Sequence, residues 1–212
     1  MALVGIGVTT EIQKTLGSAI TITGITKASP GVVTSVGHGL SNGTVLVLSA
    51  SAGMVELDGQ AVRVANKTLD TFELEGIDTT DYSTFSAGTA QEVTVWSTIS
   101  NATNVSAPEA EPPDIPVTTL IDTQEQIEPG LVGAIKGSID ALFNPGLEAM
   151  TLVRGYTRAR TPAVLRVTWA SGEQWIANAK WAAGEGFQAS QGQAVTAPFT
   201  FTAVKRPVPY GI

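Results

Sequence analysis

The single histidine of this 212-residue chain stands in the stretch GHGLSNG, residues 37–43. A histidine beside a serine can activate the hydroxyl as a nucleophile, and Ser41 follows His38 by three residues. Ser41 does not lie in the Gly-x-Ser-x-Gly turn that exposes such nucleophiles. The glycines and Asn42 instead supply turn conformations between two extended runs. We therefore expect His38 to be a structural residue at a strand end.

Other residues capable of chemistry form no pattern. GIGVTT begins like a dinucleotide-binding loop, but Thr10 stands where the third glycine would be. Carboxylates such as Asp78, Asp81, Glu109 and Glu111 could pair for glycoside hydrolysis, yet no spacing selects a pair. The absence of cysteine and the lone histidine exclude zinc ribbons, thiol nucleophiles and His-His metal sites. We expect no catalytic residue, no cofactor and no metal.

Charge is unevenly distributed along the chain. Residues 1–150 carry seventeen acidic and five basic residues and residues 151–212 carry two and seven, which gives net charges of −12 and +5 and a total of −7. An acidic chain is a poor binder of nucleic acid, because affinity for DNA comes mainly from neutralised phosphates. Opposite net charges in the two parts favour head-to-tail self-association, although chance segregation is the alternative. The N-terminus lacks a basic region and no long apolar run follows, so we expect no export signal and no membrane insertion.

Short strands dominate residues 20–91. Five runs of β-branched or aromatic residues are each bounded by turn-forming residues. They are ITITGITKA, GVVTSVG, TVLVLSA, QAVRVAN and TFELEGI. This spacing predicts a small antiparallel β-module.

Three segments lack a pattern that would bury them. Residues 97–117 hold four prolines and three acids, and prolines so close together prevent both a helix and a central strand, so a long extended loop is expected. Residues 1–19 are expected to form an N-terminal arm and residues 205–212 a C-terminal arm. Long loops of this kind are functional or meet a partner, although a solvated linker is an alternative for 97–117.

The C-terminal third combines a helix with strands. PGLVGAIKGSIDALF fits either a helix weakened by two glycines or a strand with Ile135, Ile139 and Ala141 on one face. NPGLEAMTLVRG predicts a short helix capped by Asn144, with Pro145 in its first turn and Gly155 at its end. AVLRVTWASGEQWIANAKWAA predicts a hairpin, and QAVTAPFTFTAV a further strand.

The order of segments in this region resembles the tail tube proteins of long-tailed, siphovirus-type bacteriophages. The segments are IDTQEQIEPGL, GAIKGSIDALFNPGLEAMTLVRG, LRVTWASGEQWIANAKW and APFTFTAVKRP. In that family QIxPGL precedes a strand and xxPGLxAL opens a short flanking helix, so the resemblance implies that 132–143 is a strand. It covers residues 1–19 and 92–212, which we expect to form a tail tube domain.

Residues 20–91 resemble a second family, a β-module that recurs in phage tail proteins. Its landmarks are GHGLSNGxxVxLS, GMxELxGxxxxV and TFELxGxD. In that pattern the histidine begins a turn in a non-enzymatic module.

The two resemblances together imply a mainly β, two-sheet antiparallel tail-tube fold with one short flanking helix, plus the small β-module. They imply a structural virion protein whose hexameric rings stack head to tail into the tail tube, the conduit for genome delivery. Assembly would take place in the host cytoplasm, and partners would include the tape measure, terminator and distal tail proteins. DNA would pass through without specific binding, because acidic walls repel phosphates.

Six charged residues are candidate contacts between copies. Acids of the predicted loop on one copy would meet arginines of an adjacent copy, each exposed pair contributing no more than about 1 kcal/mol. The acids are Glu109, Glu111 and Asp114, and the arginines are Arg154, Arg158 and Arg160.

The alternative from another functional class is a soluble β-sandwich that binds carbohydrate or acts in adhesion. Trp169, Trp175 or Trp181 would then form a stacking platform for sugar rings. Their alternation with alanine along a strand favours core or interface packing instead.

Overall fold

The computed structural model describes residues 7–109, 111–121, 123–184 and 186–211. Eight strands precede residue 100: β1 Thr9–Leu16, β2 Ile20–Ile22, β3 Gly24–Ile25, β4 Val32–Thr34, β5 Val45–Ala52, β6 Ala61–Ala65, β7 Thr71–Leu74 and β8 Ala87–Thr98. Eight follow: β9 Ala102–Ser106, β10 Asp114–Pro116, β11 Ile127–Pro129, β12 Lys136–Ala141, β13 Ala163–Thr168, β14 Gln174–Ala182, β15 Phe199–Ala203 and β16 Val208–Tyr210. The described residues also form one α-helix, α1 Glu148–Ala159, and a 3-10 turn at Val55–Leu57.

Fourteen strands form one antiparallel sheet and two form a separate ribbon. The large sheet runs β3-β4-β7-β6-β5-β8-β1-β13-β14-β15-β12-β9, with β2 pairing with β8 and β16 with β14. Strands β10 and β11 pair only with each other. The predicted mainly β antiparallel fold with a single flanking helix is therefore confirmed, as are the five predicted strand runs of residues 20–91.

Two hydrophobic cores lie against this sheet. The module core contains buried residues of the 20–91 region, such as Leu46 and Phe72, together with Val164, Ile176, Val208 and Tyr210. The helix-side core contains residues such as Ile12, Leu165 and Phe201 together with Ala149, Met150 and Val153 of α1.

Strands β8 and β13 connect the two cores. Strand β8 pairs with β5 over Ala87–Glu92 and with β1 over Val93–Thr98. On β13, Val164 packs in the module core, whereas Ala163, Leu165 and Val167 pack in the helix-side core. Successive side chains of a strand point to opposite faces, so the module and α1 cover opposite faces of β13. The boundary predicted between residues 91 and 92 lies inside β8 and stays a prediction.

The predicted N-terminal arm is wrong for the residues that are described. Thr9–Leu16 is strand β1, which lies inside the sheet between β8 and β13, with Ile12 fully buried. Its pairing partners lie far along the chain, so no local pattern revealed them. Residues 1–6 of that arm lie outside the described residues.

The predicted C-terminal arm is also wrong. Val208–Tyr210 forms β16, which pairs with Gln174–Ile176 of β14, and the Val208 and Tyr210 side chains are buried. Pro209 is tolerated because an edge strand does not need every backbone N–H for the ladder.

The predicted loop over residues 97–117 is partly strand. Strand β9 pairs with β12, and β10 pairs with β11. The prolines are compatible with β10 and β11 because these strands form a two-stranded ribbon in which outward backbone groups need no protein partner.

The helix begins and ends later than predicted. It starts at Glu148 with no side-chain cap, because the Asn144 Oδ1 accepts from the Gly146 N–H in a preceding turn. It continues past Gly155 and ends at Arg160, which adopts a left-handed conformation with φ of 56°. In the preceding segment the strand alternative is confirmed over Lys136–Ala141.

Candidate assembly surfaces

His38 holds a turn together, as predicted. Its Nδ1 accepts from the Leu40 N–H at 3.0 Å, so the proton of the neutral ring is on Nε2, which lies 3.3 Å from the Thr71 carbonyl oxygen. The ring packs edge-on against Phe72 with centroids 5.2 Å apart. Nδ1 thus closes the turn on itself and Nε2 joins the turn to β7, so both nitrogens are occupied by backbone groups.

The tryptophans do not form one platform. Trp181 is buried and its Nε1 donates to the Ala163 carbonyl oxygen, so it belongs to the core. Trp169 and Trp175 are partly buried and line a groove of about 490 Å³ between β1 and β9. The Trp175 ring also lies 6.1 Å from that of Phe201.

An arginine attaches the C-terminal strand to the module. Arg63 on β6 pairs with Glu75 at 2.5 Å, and this hydrogen-bonded contact raises the pKa of the guanidinium. The Arg63 backbone N–H donates to the Tyr210 Oη at 3.0 Å. Burial raises the pKa of Tyr210 to about 12. This network fixes β16 against the module core.

The six predicted contact residues lie on two elements. Glu109, Glu111 and Asp114 are exposed in and beside β10, and Glu109 lies 3.5 Å from Arg206 in an exposed ion pair. The arginines lie along the second half of α1 and at its end: Arg154 is half-buried, whereas Arg158 and Arg160 are exposed. The acids and the arginines therefore occupy separate surfaces.

Residues 107–134, which we call the acidic ribbon, combine acidic residues with exposed apolar side chains. The segment has six acidic residues and no lysine or arginine. Seven large hydrophobic residues in it are exposed: Ile115, Val117, Leu120, Ile121, Ile127, Leu131 and Val132. None of these seven residues was predicted as a contact, although the apolar pair Leu120-Ile121 inside a polar, proline-rich stretch was a usable signal. Exposed apolar surfaces of this kind are typical of sites that contact a partner.

The large sheet ends at β9 and leaves one polar face exposed. Along this face Lys180, Thr202 and Lys136 form one cross-strand row. Thr200, Ser138 and Ser106 belong to the next row. Strand β9 pairs on one side with β12, and no described strand pairs with its other side.

Two kinds of site are absent from the described part of the chain. No three His, Asp or Glu side chains in the ranges given above are grouped to hold a metal ion. The helix found in those ranges is too short and too polar to cross a membrane.

Comparison with known proteins identifies the family. A family model described as phage tail tube protein, TTP, matches residues 52–210, whereas no individual curated protein matches the chain. The match begins within residues 20–91, so the resemblance of that region to a separate module stays a prediction. Since the match covers three quarters of the sequence, the chain belongs to the phage tail tube protein family, whose members are structural and not enzymatic.

Proposed function

We propose that copies of this chain form hexameric rings that stack head to tail into the tail tube through which the genome is delivered. The acidic ribbon carries this proposal, because its seven exposed hydrophobic residues need cover that the chain's own cores do not supply. A projecting segment that docks on a different surface of the next copy produces a ring or, where the rotation does not close, an open stack, and not a closed dimer.

The end of the sheet at β9 supports closure of each ring. An exposed edge strand presents unpaired backbone groups, and pairing with a neighbouring copy removes that edge. The polar face of β14, β15, β12 and β9 would then line the channel with small hydroxyl side chains. Lys136 and Lys180 lie on this face, so repulsion of DNA must come from the net charge of −7 on each copy.

Contacts between rings would include the predicted charge pairs. Glu111 and Asp114 of one copy face Arg158 or Arg160 of the next, while Glu109 and Arg154 lie at the margin of the contact. The tape measure, terminator and distal tail proteins would meet the ends or the channel of the tube, after assembly in the host cytoplasm. Residues 20–91 would decorate the tube domain formed by 1–19 and 92–212.

Electron microscopy of the purified protein, together with a ribbon-deleted variant, tests the proposal. The Gly130 N–H donates to the Pro113 carbonyl oxygen at 2.8 Å, so a two-residue Asn-Gly turn can replace residues 114–129 at the base of the ribbon. We expect tubes from the wild type and folded subunits without tubes from the variant. A variant that polymerises at the wild-type rate and salt dependence would show that the ribbon is only a linker.

A second candidate function is sugar binding in the tryptophan groove. Trp169 and Trp175 line an opening of about 490 Å³, a volume typical of small-ligand sites. Changes in tryptophan fluorescence on titration with oligosaccharides would support it. Unchanged fluorescence, together with tube formation by the Trp169→Ala variant, would exclude it.

A further inference from the structure

The acidic ribbon defines what its partner surface must supply. The ribbon contains no lysine or arginine between residues 107 and 134. At its tip Leu120 is fully exposed and Ile121 is 90% exposed. A complementary surface must therefore be basic and must expose large hydrophobic side chains side by side.

Two places outside the ribbon expose neighbouring large hydrophobic residues. In the first, Val36 and Leu69 lie in adjacent turns of the module, which are joined by hydrogen bonds from the Ser35 and Gly37 N–H groups to Asp70. The second, which we call the aromatic patch, consists of the exposed Phe187 and Val195 with the half-buried Phe143.

Backbone pairing and a ring contact assemble the aromatic patch. Leu142 forms a β-bridge with Thr196, and the Phe143 N–H donates to the Val195 carbonyl oxygen at 2.8 Å. The rings of Phe143 and Phe187 lie 5.3 Å apart. Since successive side chains of an extended chain point to opposite faces, Phe143, Phe187 and Val195 share one face of this pairing, whereas Leu142 points to the other.

Charge distinguishes the two places. The module turns carry Asp70, with Glu73 close by on β7, and these acids would repel the ribbon. The aromatic patch adjoins α1, because the Ala183 N–H, at the start of the segment that leads to Phe187, donates to the Thr157 Oγ1 at 3.2 Å. The end of α1 exposes Arg158 and Arg160, and these two cations outnumber Glu185, the one acid in the segment that carries Phe187 and Val195.

We propose that the aromatic patch, with Arg158 and Arg160, receives the acidic ribbon of the next copy. Leu120 and Ile121 would pack on the patch, while Glu111 and Asp114 face the arginines. A helix of this length spans about 18 Å and the extended chain from residue 111 to residue 121 spans up to about 36 Å, so one ribbon reaches both. This proposal rests on the proposed stacking of rings. It identifies the surface on one copy that receives the ribbon of the next.

Disulfide trapping tests the pairing directly, because the wild-type chain contains no cysteine. We expect assembled Leu120→Cys/Phe187→Cys protein to give covalent multimers on mild oxidation, resolved on a non-reducing gel. The matched control is Leu120→Cys/Leu69→Cys, which places the second thiol at the other apolar site and should give none. Multimers from the control alone, or from neither variant within intact tubes, would overturn the proposed surface while leaving tube formation established. Absence of both tubes and multimers would overturn the stacking proposal as well.

Charge reversal provides an independent readout. Two exposed ion pairs together correspond to an effect of up to roughly thirtyfold, so we expect Arg158→Glu/Arg160→Glu to raise the critical concentration for tube growth by about tenfold to thirtyfold. Adding Glu111→Arg/Asp114→Arg in the same chain should restore growth. Lys27→Glu/Lys67→Glu makes the same change of net charge on the module and should leave growth unchanged. Wild-type growth of the arginine variant, or no rescue by the combined variant, would contradict the proposal.

Discussion

Arg63 lies over the ring of Tyr210, with its guanidinium carbon 4.5 Å from the ring centroid, although the two residues are separated by most of the chain. A cation over an aromatic face is attracted by the ring quadrupole. The backbone N–H of the same Arg63 donates a hydrogen bond to the Tyr210 hydroxyl oxygen. The C-terminal strand therefore stabilises a module whose own residues end far earlier in the sequence.

Tyr210 makes stability sensitive to alkaline pH. Burial raises its pKa to about 12, whereas an unfolded tyrosine ionises near about 10. The contribution of Tyr210 is constant below about pH 10 and is lost as pH rises from about 10 to 12, because there only the unfolded chain readily loses the proton. This loss should reach roughly 2 to 3 kcal/mol, so the decline of the wild type should exceed that of Tyr210→Phe by that amount; Tyr156, whose pKa burial also raises, contributes equally to both proteins. Urea unfolding between pH 8 and 12 measures this; parallel curves for both proteins would refute the assignment.

Gly137 is required for close packing beneath β9. A Cβ there would meet the buried ring of Phe201 and lie 2.5 Å from the Ser106 carbonyl oxygen. Gly137→Ala should therefore destabilise the protein by about 1 to 3 kcal/mol. Gly155→Ala is the matched control, because its Cβ meets nothing within 4 Å in the middle of α1, and it should stabilise by about 1 kcal/mol. Thermal unfolding compares them, and equal midpoints would contradict the packing argument.

Lys14 and Glu148 join β1 to the start of α1 with a 2.6 Å contact. The Lys14 hydrogen bond lowers the pKa of Glu148, so its contribution is present above the ordinary glutamate pKa of about 4.3 and is lost as pH falls through the lowered value. The difference in melting temperature between the wild type and Glu148→Gln should be small at pH 7 and shrink towards pH 3. A difference in melting temperature that grows as pH falls would show that the pKa of Glu148 is not lowered in the folded protein.

Removal of the His38 side chain should affect folding and not assembly. Without it the Leu40 N–H loses its buried acceptor, which costs about 1 to 3 kcal/mol. We expect His38→Ala to melt earlier than Ser41→Ala, and both to form tubes below their melting temperatures. Loss of tubes from a folded His38→Ala protein would assign the turn a direct role in assembly.

Local patterns predicted the elements that are defined locally. The strands of residues 20–91 alternate with glycine, asparagine and proline, and this punctuation is visible in the sequence. Strands β1, β9 and β16 were missed because distant partners hold them, and β16 tolerates Pro209 only because it lies at an edge. The candidate charged contacts were proposed from the charge distribution of the sequence and stay a prediction. The aromatic patch was not, since the pairing of residues 142 and 196 brings Phe143, Phe187 and Val195 together.

The continuity of β8 has a consequence for how the molecule fails under heat or load. Its twelve residues are hydrogen-bonded to β5 at one end and to β1 at the other. If either hydrophobic core unfolds, β8 therefore loses hydrogen bonds, although the other core also depends on this strand. Such sharing makes the chain a single cooperative unit, with one calorimetric peak and matching van't Hoff and calorimetric enthalpies. Tension along a tube would likewise be carried across each subunit by backbone hydrogen bonds and not by a flexible tether.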